Sequence, residues 1–133
     1  MTEHKPIWRQ HLPPDCPPES AWPAEGQYYR FVSRPVIEPN DFLSHRERGF
    51  PLEDAKHHDE CEFGGLSILK NLRDVKAMRD EVPGFAKKSV AVGILNQTLG
   101  RLKHTPYNGN SHHTWWIPEG CDPAPLFEVV EVT

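Results

Sequence analysis

Leu69, Leu72, Val75, Met78 and Val82 recur at three- and four-residue steps, while Asn71, Arg73, Asp74, Lys76, Arg79 and Asp80 fill much of the space between them. Apolar positions at that spacing line one face of a helix. With Asn71 as a cap and Pro83-Gly84 as a stop, the pattern predicts the main helix over about 71–82. Other stretches alternate or run apolar in the manner of strands. Tyr28–Ser33 is the first, and it sets Arg30 between Tyr28 and Val32 on one face. Gly65–Leu69 reads as a short buried strand. Ser89–Leu95 is apolar on both faces, which suits a strand inside a covered sheet. Its small residues, Ala91 and Gly93, are expected under something bulky such as the 71–82 helix. Leu99–Thr105 looks like its hairpin partner, and Leu126–Val132 is the last strand.

Residues 111–117, Ser-His-His-Thr-Trp-Trp-Ile, form the most unusual stretch. As a strand it places His112, Thr114 and Trp116 on one face and His113, Trp115 and Ile117 on the other. Each face then carries one imidazole and one indole, a costly run to leave on open surface.

Two short helices complete the helical content. One is expected over Phe42–Arg48 behind an Asn40-Asp41 cap, with Gly49 as its stop. The other runs over Leu52–Glu62 and contains His57-His58-Asp59-Glu60-Cys61. Residues 1–26 carry six prolines, from Pro6 to Pro23, which forbid regular helix over most of that arm. Trp8, Leu12 and Trp22 give the arm anchors for packing on its own domain or on a partner subunit. No repeat or linker divides residues 27–133, which are expected to form a single domain. The expected fold class is α+β, with a mixed, mostly antiparallel sheet, one main helix and short helices.

Composition narrows the function classes only slightly. The chain has 133 residues, 26% of them charged, with a formal net charge of −4. That balance gives no basic face of the kind nucleic-acid binding needs. No apolar run reaches membrane-spanning length, and the amino terminus lacks the apolar core of a signal peptide. Cys16, Cys61 and Cys121 are odd in number and widely spaced, so no disulfide framework is expected and the setting reads as cytoplasmic and reducing. Oligomeric state is not legible.

Several chemistries can be weighed from spacing. His57, His58, Asp59, Glu60 and Cys61, with His104, His112, His113 and Cys121, are possible metal ligands. Adjacent histidines diverge, however, and no standard paired spacing occurs, so no metal is expected. Gly64-Gly65-Leu66-Ser67 lacks the second glycine of a nucleophile elbow. No phosphate-binding glycine loop of the Rossmann or P-loop type is present.

What does occur is Arg30 on the first strand, in Tyr-Tyr-Arg-Phe-Val, and Ser67 on a Gly-Leu-Ser-Ile strand that runs straight into the amphipathic helix. In element order and in these residues the chain resembles the ADP-ribosyltransferase superfamily, including its RES-type toxin branch. That resemblance implies an NAD-using enzyme, such as a small intracellular toxin or defence protein. Arg30 would stand as the first-strand residue that meets NAD and Ser67 as the second-strand residue. The glutamate that stabilises the ribose cation would be Glu119, with Glu128 as the other choice; the usual Glu-x-Glu or Gln-x-Glu pair is absent. On this reading an arginine fork takes the pyrophosphate. Tyr28, Tyr107, Trp115 or Trp116 stacks on nicotinamide. His112 holds ribose hydroxyls, and His113 serves as acid or base. The catalytic set is then Arg30, Ser67, His113 and Glu119, with Arg30, Tyr28, His112 and Trp116 binding NAD. The competing expectation is a non-enzymatic interaction module, an immunity or adaptor protein, that uses the arm and the Trp115-Trp116 strand as its surface.

Overall fold

A computed structural model of the chain describes residues 7–51, 60–106 and 109–132. The first six residues of the arm, most of the 52–62 helix with His57 and His58, and Tyr107 lie outside the described residues. The strands are β1 (Trp22–Pro23), β2 (Gly26–Val32), β3 (Leu66–Leu69), β4 (Ser89–Leu95), β5 (Arg101–His104), β6 (His112–Trp116) and β7 (Phe127–Val130). The helices are α1 (Glu60–Phe63) and α2 (Leu72–Glu81). The fold is α+β and dominated by its sheet. Seven strands run in the order β1-β5-β6-β3-β2-β4-β7. Each pairing is antiparallel, so the mixed sheet expected from the sequence resolves to a purely antiparallel one.

The main core lies on one face of this sheet. Tyr28, Ile68, Ala91, Leu102, Trp115 and Phe127 meet there, closed by Phe42 and Leu99 from two 3-10 turns. The opposite face carries a smaller cluster, where Val75 and Met78 of α2 pack on Leu69 and Val90. Each buried indole removes roughly 200 Å² from water, worth up to about 5 kcal/mol. Neither leaves its N–H orphaned: Trp115 Nε1 donates to the Leu99 carbonyl and Trp116 Nε1 to the Cys61 carbonyl, both at 2.8 Å.

Residues 7–26 of the arm lie against the rest of the chain. Trp8 bridges to Pro118, β1 pairs with β5, and Trp8, Leu12, Cys16 and Ala21 pack around Trp116. Arg9 donates to the Phe42 carbonyl at 2.7 Å and pairs with Glu47.

Four expectations need correction. Phe42–Arg48 is not a helix. A 3-10 turn covers Pro39–Phe42, and Leu43 is already extended. The Asp41 carboxylate turns back to accept the Glu38 and Ser33 backbone N–H groups, at 2.8 and 3.2 Å, and so does not cap a helix ahead of it. Leu99–Thr105 does not form a hairpin with Ser89–Leu95. The turn at Gln97–Leu99 and the positive φ of Gly100 send β5 away to β1 and β6, while β2 and β7 take both edges of β4. Ala91 and Gly93 are not under α2, which packs on the Val90 side; the bulk over Gly93 is the Phe127 ring. Finally, Cys16 and Cys61 form a disulfide, leaving Cys121 free. Wide spacing hid this pair because the arm folds back across α1. Among the described residues no helix is long and apolar enough to cross a membrane. The disulfide lends no support to the reducing setting expected from the cysteine count.

Candidate functional site

The sheet has one weak seam. β2 pairs with β4 along its whole length, but with β3 only at Tyr29 and Leu69. Beyond that bridge the two strands separate, and the Arg30 guanidinium enters the gap. Its Nη1 donates to the Ser67 carbonyl at 2.8 Å and its Nε to the Asp41 carbonyl at 2.7 Å. A backbone acceptor that the ladder leaves open is thereby satisfied by a side chain. Arg30 does not reach across the sheet to Glu128, which stands opposite Val92.

A cleft opens at this seam. The strands contribute Arg30, Ser67 and His112, the 39–48 segment contributes Asp41, Ser44, His45 and Arg48, and Met78, Phe85 and Lys88 close the far side. Its cavity volume is about 120 Å³. Three cations converge there: Arg48 gives Nη2 to the Asn40 carbonyl at 2.8 Å, and the Lys88 ammonium sits 5.2 Å from the Phe85 ring centre. Among the described residues none of Arg30, Arg48 and Lys88 makes an ion pair. Asp41 is the one acid lining the cleft, among the described residues, and two backbone N–H groups already engage its carboxylate.

The electrostatic consequence appears in the titration of the cations. Burial pulls the Arg30 guanidinium down to about 10, Arg48 and Arg9 push the same way, and Asp41 opposes them. Lys88 is also lowered, by burial first and then by Arg48 and Arg30. Three cations held together against the single carboxylate of Asp41 create a positive potential in a partly enclosed space. One wall is aromatic: Phe31 and Phe85 stack with centroids 4.4 Å apart and planes 10° from parallel.

Arg30, Ser67 and His112 therefore line one cleft, whereas the other residues singled out from the sequence do not join them. His113 points to the opposite side of β6, its ring 5.3 Å from Tyr28 and 5.0 Å from His104. Burial lowers its pKa against a bond to the Ser111 carbonyl that raises it, with His104 and Lys70 adding repulsion. Tyr28 lies in the main core beside it. Trp116 is sealed under the arm. Glu119 lies beside Arg9 and Cys121 on a shallow groove, its N–H bonded to the Ile7 carbonyl at 2.7 Å. Since Trp115 and Trp116 are both buried, they offer no surface to a protein partner.

Arg48 and Lys88 were missed as site residues. Lys88 belongs to a run of basic residues legible in the sequence, but nothing local indicates that the fold brings it to Arg30. No family model, curated protein or solved structure matches this chain.

Proposed function

We propose that the seam cleft binds a phosphate-bearing small molecule of the nucleotide class, with NAD as the first candidate. The supporting observation is the convergence of Arg30, Arg48 and Lys88 on a cleft where Asp41 is the one acid among the described residues, so that three cations face one carboxylate. Arg30 keeps its Nη2 hydrogens for a ligand after bonding two carbonyls. Phosphate oxygens are the natural acceptors for such a set. The Phe31–Phe85 wall suits a planar ring next to the charge.

Size refines the reading. A cavity of about 120 Å³ falls below the roughly 300–1,000 Å³ that encloses a drug-sized ligand. The phosphate and one neighbouring ring enter, and the remainder of a dinucleotide lies along the open side. Transfer of ADP-ribose is the part of the reading that rests on the resemblance alone. It calls for a carboxylate at the ribose, and Asp41 is already engaged by backbone N–H groups.

The test is calorimetric titration with inorganic phosphate, AMP, ADP-ribose and NAD, accompanied by an assay for nicotinamide release. Phosphorylated ligands should bind, and nicotinamide riboside should not. The control is Arg48→Gln with Lys88→Gln, since both side chains are exposed and the pair leaves the Arg30 stitch intact. Equal heats from wild type and the double variant would sink the proposal.

A further inference from the structure

His113 faces away from the cleft and directly opposes His104 in the β5–β6 ladder. Their ring centroids are 5.0 Å apart and the planes are inclined by 36°. Each ring has one nitrogen fixed on a backbone carbonyl: His113 Nδ1 lies 2.7 Å from the Ser111 oxygen, and His104 Nε2 lies 2.9 Å from the Asn110 oxygen. A carbonyl oxygen only accepts, so in the neutral rings those nitrogens carry the protons. The lone pairs are then on His113 Nε2 and His104 Nδ1. Among the described residues neither of these nitrogens has a hydrogen-bond partner. His113 is only 7% exposed, yet among the described residues no fully buried side-chain nitrogen lacks a partner, so its Nε2 is not fully sealed.

We propose that His104 and His113 form a two-imidazole site for a first-row transition-metal dication of the zinc, nickel or copper type. Imidazole nitrogen suits these ions, and a ligand ring whose other N–H is held by a carbonyl is the usual supporting arrangement. Taking metal–nitrogen bonds of 2.0–2.1 Å and adding the ring radius, two imidazoles on one tetrahedral ion have centroids about 5.3 Å apart. The observed separation of 5.0 Å is close to that value. Among the described residues no group of three or more His, Cys, Asp and Glu side chains converges, so water or an incoming ligand completes the coordination. Tyr28 and Trp22 wall the buried imidazole at 5.3 and 6.1 Å. Lys70, whose ammonium lies 5.9 Å from the Tyr28 ring centre, opposes a cation here and weakens the site. This site is independent of the cleft.

Tag-free, chelator-treated full-length chain is titrated with zinc, nickel and, as an oxygen-preferring control, magnesium. Calorimetry and nitrogen-15 imidazole spectra are recorded. The expected result is one equivalent of zinc, none of magnesium, and shifts at His104 Nδ1 and His113 Nε2. His104→Ala, at an exposed position, should lower the affinity by at least about tenfold, and Lys70→Gln should raise it. The wild-type spectra decide the matter even if a variant fails to fold. Absence of saturable zinc binding overturns the proposal. So does binding that His104→Ala leaves intact, or binding that His57→Ala and His58→Ala remove instead.

Discussion

Arg30 is stitched to Ser67: its Nη1–H meets the Ser67 carbonyl oxygen at 2.8 Å, where β2 and β3 have stopped pairing. The same guanidinium holds the Asp41 carbonyl. Arg30→Met should therefore cost about 2–3 kcal/mol of stability, with Arg30→Lys recovering part of it. Urea unfolding measures both. A Met variant as stable as wild type would show that water replaces the stitch without loss. Because this substitution disturbs the sheet, Arg30 is a poor probe of ligand contact by itself.

Arg48 and Lys88 report on the cleft more cleanly. Each neutral substitution should weaken a phosphate ligand by roughly 0.5–1.5 kcal/mol, and affinity should fall with added salt. Titrations at low and high ionic strength check this. Ligand affinity that ignores salt would point to a contact elsewhere.

Cys16 and Cys61 close a loop with a sequence separation of 45. Chain entropy alone sets the contribution of such a link at about 4 kcal/mol, and measured values often fall short. Cys16→Ala with Cys61→Ala should lower stability by about 2–4 kcal/mol in guanidinium titrations. Reductant should produce the same loss in wild type and none in the double variant.

Two glycines make a graded pair. A Cβ on Gly100 would lie 1.9 Å from the Trp116 carbonyl oxygen, and its φ of 113° is unfavourable to any side chain. A Cβ on Gly93 would lie 2.8 Å from Phe127 ring atoms. Gly93→Ala should cost about 1–3 kcal/mol as ordinary overpacking. Gly100→Ala should cost more, because backbone must move. Thermal unfolding of both variants tests the order.

Asp74 links α2 to the start of β6, its Oδ2 accepting the Ser111 N–H at 2.9 Å. Hydrogen bonding to Ser111 is the leading cause that holds its carboxyl below the ordinary value. Folding therefore favours the charged form. That contribution is complete above the unfolded carboxyl pKa of about 3.9 and is lost as pH falls through the folded value. Asp74→Asn should lower stability by about 1 kcal/mol at pH 7. The gap should close in strong acid; a constant gap would assign the effect to packing.

The main helix was legible because Val75 and Met78 sit at helical spacing and face Leu69 and Val90. The strand containing His112 to Trp116 was legible because each of its two faces needed burial. The segment after Asp41 was not. An aspartate ahead of apolar residues has the same local signature whether it caps forward or bonds backwards, and only the position of Ser33 decides. The site divided along the same line. Alternation could separate His112 from His113, and the structure places Arg30, Ser67 and His112 on a common cleft. Arg48 and Lys88 arrive there through turns whose directions no periodicity records.

The strand order has a consequence for the timing of synthesis. Trp22 waits for Leu102, and Leu66 waits for Trp115. β2 and β4 can pair once residue 95 has left the ribosome, but β3 has only its single bridge to β2 until β6 emerges. One half of the sheet is therefore assembled late, when β6 joins β5 to β3. Until then the nascent chain carries unpaired strand edges, and its need for a chaperone is greatest over that interval.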